Sequence, residues 1–486
     1  MKYVKLFETH EEYVTFTKSD DYIKPNVSYC DDNDEIHYNI IRPIDLHLTF
    51  EVVSSGTITI KASNANVSKT ISYSTDDGNT WTDLTTTTTA QSLGGTLNVG
   101  DKVLIKGNNA TYATLSDCNQ FAGTAKFNAY GNMMSLIYGD NFANNNVFTA
   151  DYVFSKLFSG TTGIVNAENL ILPAKVLTVG CYYIMFKDCT SLITAPELPA
   201  TTLADNCYRS MFGGCTNLTK IPNLPATATT ESCYQYMFRN CSKLTTVPEL
   251  PATTMASKCY YGMFANCTGL TTPQTVLGVS STTVGSSACT WMFSGCTNMT
   301  SAPELPARTM SSASYLQMFA NCTSLSISPE LPATTLADNC YNHMYSGCIN
   351  LTTPPTELPA TTLAEACYYY MFNGCKSLAS APELPATTLA DNCYQAMFNG
   401  CTGLTTAPDL PAITLSASAY TSMFQSCSSL NYIKMLATDI SATNCLQNWV
   451  SGVAASGTFV KNSAAQWDVS GVNGIPTGWT VQTASA

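Results

Sequence analysis

Charge is what this sequence has least of. Only 12% of its 486 residues are Asp, Glu, Lys or Arg, and they leave a net charge of -12 with a pI near 4.7. No basic run occurs, and phosphate binding draws its affinity from clustered Lys and Arg, so no nucleic-acid partner is expected. No window approaches the roughly 18 apolar residues that a membrane-spanning helix needs, so no membrane insertion is expected. The opening, MKYVKLFETHEEYVTF, lacks an apolar stretch of signal-peptide length, which predicts synthesis in a cytoplasm without export by the usual route. Histidine is scarce: His10, His37, His47 and His343 are scattered, and no Ser or Cys stands beside a base in a nucleophile pattern. P-loop, GxGxxG and HExxH motifs are missing, so no cofactor and no catalytic metal is expected, and the chain does not read as an enzyme.

Cysteine, by contrast, is plentiful. Most of the 21 cysteines fall in a repeated C-x7-C, as in Cys207/Cys215 and Cys393/Cys401. On a largely helical path two such thiols stand on the order of 10 Å apart, beyond the roughly 7 Å Cα limit of a bridge. Zinc ligation wants four Cys or His at short paired spacings. The cysteines are therefore expected to be free, buried and used as small apolar filler.

What the chain has in abundance is repetition. Residues 203–222 read LADNCYRSMFGGCTNLTKIP and residues 389–408 read LADNCYQAMFNGCTGLTTAP. The central methionine recurs at Met185, Met211, Met237, Met263, Met292, Met318, Met344, Met371, Met397 and Met423, at steps of 26 except for one of 29 and one of 27. A half copy at 445–450 places Trp449 a further 26 residues on. A fixed period of this size marks a solenoid whose units must stack to bury their apolar face.

Counted from each Met, positions -4, -3, 0 and +1 are mostly Cys, Tyr, Met and Phe, with Cys at +4. The first four form two adjacent i, i+4 columns, which predicts a short helix with one buried stripe. Position +3 is Gly, Asn or Asp in nine of the ten units, predicting a left-handed residue that ends the helix. Position +7 is Leu, or Met299 in one unit, followed by Thr-rich residues and then Pro at +11 in eight. That is a short strand closed by a residue that cannot donate to a ladder. At roughly 4.8 Å per strand, the stacked units make a parallel sheet on the order of 50 Å long.

Upstream, LHLTFEVV, TITIKAS, KTISYST and KVLIKG alternate apolar and polar residues between Gly, Asn and Asp turns, the pattern of a small antiparallel sandwich. Residues 74–81 fit S-x-D-x-G-x-T-W, which resembles the Asp-box hairpins of sialidase propellers. One copy makes no propeller and no arginine cluster accompanies it, so we read a hairpin turn pinned by Asp76 and Trp81. Residues 31–35, DDNDE, resemble the front of a calcium loop, but Ile36 stands where the turn glycine belongs and no glutamate closes the loop. The run from Asp31 to Glu35 reads instead as a solvated turn. The organisation expected is a leader or anchor at 1–41, the sandwich at 42–110, a junction and N-terminal cap at 111–150, the solenoid at 151–451, and a C-terminal cap at 452–486 in which Trp467 and Trp479 cover the last core face.

Positions -2 and -1 vary freely while their neighbours repeat, so packing does not dictate them. They supply Tyr183, Arg209, Tyr236, Tyr261, Trp291, His343, Tyr369 and Tyr370, an exposed band suited to carbohydrate or protein contact. The plainer reading is drift at unconstrained surface positions. The Thr band at +8 and +9, as in Thr245 and Thr246, is a second candidate, for which strand propensity is the stronger explanation.

The unit MFxGCTxLTTAPELPATTL is similar to the BspA-like leucine-rich repeat, with Met in place of the family's Ala and a slightly longer unit. The opening KLFETHEEY with KPNVSYC resembles the leader of phage and prophage structural proteins of gut anaerobes. The resemblances imply an α/β solenoid of leucine-rich-repeat type, with short parallel strands and short helices, behind a small antiparallel β-sandwich. The function expected is that of a phage virion protein, a fibre or decoration subunit. Its N-terminal region would meet other virion proteins and its solenoid would bind a host-surface glycan or protein. The alternative is a bacterial cell-surface adhesin of the BspA type, and a glycan-active enzyme is a distant third. A homo-oligomer is possible, although no heptad pattern supports a trimer.

Overall fold

The computed structural model describes residues 25–30, 36–40, 46–271 and 283–484. Of the leader, β1 (Pro25–Cys30) and β2 (Ile36–Ile40) form an antiparallel pair. The run from Asp31 to Glu35 lies outside the described residues.

Period-two alternation builds the first body. β3 (Leu48–Ser54), β5 (Thr70–Ser74), β6 (Thr82–Thr85), β8 (Lys102–Gly107) and β10 (Lys126–Asn132) make one antiparallel sheet in the order β10-β3-β8-β5-β6. β4 (Gly56–Ala62), β7 (Gln91–Leu97) and β9 (Asn119–Gly123) make a second sheet, ordered β7-β4-β9. Leu48, Phe50, Val52, Val103, Ile105 and Phe127 from the first meet Ile58, Ile60, Leu93 and Phe121 from the second, all buried in one core. The sandwich thus reaches into the stretch expected as a junction, since β9 and β10 lie beyond residue 110. Residues 74–81 form the hairpin turn between β5 and β6: Asp76 accepts from Ser74 Oγ at 2.7 Å, Thr80 N at 2.9 Å and Thr80 Oγ1 at 2.6 Å. These donors, Thr80 foremost, hold the Asp76 carboxyl near a pKa of about 2.

The solenoid grows directly from the sandwich. β11 (Ile164–Asn166) and β12 (Leu170–Ile171) pair parallel with β10, so the edge strand of the antiparallel sheet serves as the template for the first coil. Residues 152–160 make that coil. Its Phe158 ring stacks on Phe121 of β9 at 5.4 Å and on Phe186 of the next coil at 5.1 Å. No water-facing gap interrupts the core between the two bodies, because one contiguous cluster runs from Leu48 to Trp479.

The Cys-Tyr-x-x-Met-Phe segment is where the structure departs from expectation: it is not a helix. Among the described residues only α1 (Ser135–Tyr138) is α-helical. Each segment is a chain of tight turns with a left-handed residue at every fourth position, -5, -1 and +3, such as Asn339 (φ 60°), His343 (φ 53°) and Gly347 (φ 76°). The backbone donors alternate. In the Met185 coil, the amides of Cys181, Tyr183, Met185, Lys187 and Cys189 donate three residues back within the coil. Those of Gly180, Tyr182, Ile184, Phe186 and Asp188 donate to carbonyls of the next coil. A helix would spend every amide on its own axis and leave adjacent coils unlinked. The spiral satisfies the same donors and ties each coil to the next. The left-handed residue expected at +3 is present, with φ from 59° at Asp188 to 78° at Gly214, but it closes a turn rather than capping a helix.

Inward-facing columns follow from that four-residue rhythm. Phe158, Phe186, Phe212, Phe238, Phe264, Phe293, Phe319, Tyr345, Phe372, Phe398 and Phe424 stack ring on ring, with centroids 5.1 to 5.8 Å apart and planes within 9°. A tyrosine column runs beside it from Tyr182 to Tyr260 and again from Tyr315 to Tyr420, interrupted where Cys289 takes the tyrosine position. Offset parallel rings add about 0.5 to 1.5 kcal/mol per pair to the area they bury. Phe319→Ala is therefore expected to lose one residue's packing and two stacked contacts, about 3 to 5 kcal/mol, read as a lower urea midpoint. An unchanged midpoint would contradict a tightly packed column.

The twenty cysteines from Cys118 to Cys445 are all free and buried. At +4 each thiol has a specific use: Cys189, Cys215, Cys241, Cys267 and their equivalents donate to the +1 carbonyl of the preceding coil at 3.0 to 3.2 Å. That carbonyl already accepts an in-coil amide, as Phe186 O does from Cys189 N at 3.1 Å. The thiol adds a weak second donor that fits a space too small and too apolar for a hydroxyl with water.

Opposite the turns, the coils meet at isolated parallel bridges in two ladders, such as Thr194↔Lys220 and Thr362↔Thr388. Beyond β11 and β12, short strands of two residues or more appear among the described residues at β13 (Thr283–Val284), β14 (Thr309–Met310), and the terminal β15 (Tyr432–Met435), β16 (Thr458–Asn462) and β17 (Thr480–Ala484). The last three form a parallel sheet. Trp449, Phe459 and Trp467 then turn from parallel to edge-on packing at 6.2 and 6.1 Å, and Trp467 and Trp479 donate their indole N–H to Ala437 O and Ala454 O, each at 2.8 Å. Edge-on indoles end the column because they offer no flat face for a further ring.

Candidate ligand-binding ridge

The turn spiral decides where the variable residues go. At -1 the backbone is left-handed, as at Tyr236 (φ 57°), Trp291 (φ 58°), His343 (φ 53°) and Tyr370 (φ 52°). A non-glycine residue held there costs roughly 1 to 2 kcal/mol, which the coil-to-coil amide bonds offset. With -1 reversed, the -2 and -1 side chains both project outward, and neighbours from successive coils touch along the solenoid.

All eight candidate residues lie on this turn face and all are half-buried, set among one another rather than free in solvent. Tyr236 meets Tyr261 edge-on at 5.3 Å, and Tyr261 meets Trp291 at 5.4 Å. Trp291 donates its indole N–H to Gln317 Oε1 on the next coil. Farther along, His343 stacks on Tyr370 at 4.8 Å with planes 2° apart, and Tyr369 closes on both at 5.5 and 4.6 Å. Tyr183 carries Arg209, whose guanidinium carbon is 5.7 Å from the ring centroid. The eight therefore form two aromatic patches and an arginine-tyrosine pair. Leu316 and Gln317 separate the patches.

Burial pushes the Tyr261 hydroxyl up to about 12 and holds His343 below the ordinary histidine value. At neutral pH the ridge thus offers neutral rings, an imidazole, amides and guanidinium groups. Two features escaped the sequence reading. Arg239, at +2, lies 5.0 Å over the ring of Tyr236, at -1 in the same coil. Gly262 is the seat of Tyr236: a Cβ there would lie 2.5 Å from the ring. Glycine at -1 in that one unit was the available signal.

Elsewhere the chemistry is sparse. On the sandwich, Asp140 bridges His47 Nε2 at 2.9 Å and Lys106 Nζ at 2.8 Å, and Lys106 sits 4.0 Å over Trp81. This cluster pins the Asp76 hairpin to the sheet. Among the described residues no group of three or more His, Cys, Asp or Glu is placed to hold a metal. The Thr band at +8 is tied to backbone, as in Thr352 Oγ1 donating to Ser326 O at 3.1 Å.

A leucine-rich repeat protein from Bacteroides ovatus ATCC 8483 has a similar solved structure. It shares 18% identity over 74% of this chain and 86% of that one, with a TM-score of 0.44. No curated protein matches the chain. The BspA type Leucine rich repeat region matches residues 152–300 and 338–448, in six copies and over more than half of the chain. These residues are the stacked coils that carry the ridge, and the chain belongs to the BspA-type leucine-rich repeat family.

Proposed function

We propose that this protein is a bacterial cell-surface binding protein whose solenoid presents the ridge of rings to a host-surface glycan or protein. The observation that carries the reading is a contrast between columns. Core columns repeat the same residue from coil to coil, whereas -2 and -1 differ in every coil yet collect Tyr, Trp, His and Arg in contact with one another. Such amphipathic rings supply large contact area at low entropic cost, the composition of binding hot spots. Family membership favours the surface-adhesin reading over the virion fibre, which rests on the leader at 1–41. A binding role in place of catalysis agrees with a core whose thiols face inward, with His343 stacked on a ring and His47 pinning a hairpin. The test is binding of the purified chain to cultured epithelial cells by flow cytometry. Trp291→Ala combined with Tyr370→Ala, one change in each patch, is expected to reduce binding at least about tenfold. Full binding by that variant, or none by the parent, would overturn the reading.

A further inference from the structure

Only four arginines occur in the chain, and two of them, Arg209 and Arg239, stand on adjacent coils of the ridge. Lysines nearby are answered: Lys187 pairs with Asp188 at 3.4 Å and Lys258 with Glu231 at 4.0 Å. The guanidinium groups have no carboxylate partner among the described residues. Arg209 Nη1 donates to Asn206 Oδ1 at 3.2 Å, and both groups lie over tyrosine rings, 5.7 Å from Tyr183 and 5.0 Å from Tyr236. A guanidinium resting on a ring keeps its charge, loses part of its rotamer freedom beforehand, and leaves donors at its edge for a planar acid group. In a chain of net charge -12, Arg239, whose charge acts on Tyr261, and Arg209 on the coil before it are complementary to a small anion with an apolar face. A polyanion would demand many more cations.

We propose that the turn face from Tyr183 to Trp291 is a subsite for an acidic sugar. Its carboxylate or sulfate lies on Arg209 and Arg239, and its ring rests against Tyr261 and Trp291. The inference rests on the binding role proposed above and names the chemistry of its ligand. The flat apolar side of a pyranose rests on the open part of a ring, and Tyr261 and Trp291 are each half-buried in this face.

Biolayer interferometry of the full chain on immobilised 3′-sialyllactose, a chondroitin sulfate oligosaccharide, lactose and a polyglutamate peptide tests it. Binding is expected to at least one acidic sugar, which one distinguishing carboxylate from sulfate, with lactose at least about tenfold weaker, a difference of about 1.4 kcal/mol. Arg209→Gln with Arg239→Gln is expected to remove about tenfold or more of the acidic-sugar affinity, and added salt to weaken it. Arg308→Gln, an exposed arginine outside the turn segments, is expected to leave it unchanged. No binding to either acidic sugar, equal binding to lactose or polyglutamate, or an unaffected double-arginine variant would overturn the subsite. If the double-arginine variant fully retains epithelial binding and no acidic sugar binds, the subsite falls while the surface role stands. If the parent binds no cells, the surface role falls first.

Discussion

Raising the pH from 8 to about 10.5 is expected to unfold the solenoid. Of the twenty cysteines from Cys118 to Cys445, all but those two are packed in the core columns. Burial pushes their thiols up, to about 12 at Cys233, Cys267, Cys340 and Cys393, and higher still at others. Each folded-state value lies above that of the unfolded thiol, about 8.5. The folded state is therefore favoured in full below pH 8.5, and that advantage drains away as the pH climbs through the thiol range toward the folded values. Per thiol the loss is about 1.4 kcal/mol for each pH unit above 8.5. Five such thiols over two units already match the roughly 5 to 15 kcal/mol that holds a domain together, and many more are present. Far-UV circular dichroism against pH checks the outcome, with thiol labelling at pH 8 as a second reading, where the folded chain is expected to resist modification until denaturant is added. A signal flat to pH 10.5 would mean that the thiols are not held as this packing requires.

Deleting residues 319–344 is expected to leave a folded protein, and deleting 319–331 to abolish folding. The first removes one 26-residue period and joins Met318 to Tyr345, so every column keeps its place with one coil fewer. Stability then falls by about one coil and its interface, as for any quasi-one-dimensional array. Removing half a period joins Met318 to Pro332. The following turn segment, with Cys340, Tyr341 and Met344, then faces the strand side of its neighbour, and its amides meet no carbonyls. Circular dichroism and size exclusion separate the outcomes. Equal behaviour of the two deletions would show that coil register is not what holds the core.

Much of this was legible in the residues. The period, the inward Cys, Tyr, Met, Phe and Leu columns, the left-handed residue at +3 and the free thiols can all be read from spacing and residue type, because a side chain that recurs every 26 residues in a stack must meet its own copies. Trp467 and Trp479 were visible as the off-pattern aromatic end. The helix was the misreading, and its cause is specific. Columns at -4, 0 and +4 fit both a 3.6-residue helix and a four-residue spiral of turns. Over so short a segment only the destination of the amides separates the two.

The sequence by itself determined that this chain is a stack with a dry spine of rings and thiols, since no other arrangement buries ten copies of one apolar pattern. Tertiary structure alone decided how each amide is shared between a coil and its neighbour, that β10 templates the first coil, and that Arg239 lies on Tyr236 while His343 lies on Tyr370. The physical reason is that periodicity reports which residues share a face, whereas contacts between coils depend on the left-handed backbone at -1. That backbone is adopted by Tyr, Trp, His and Ser alike, and residue type does not disclose it.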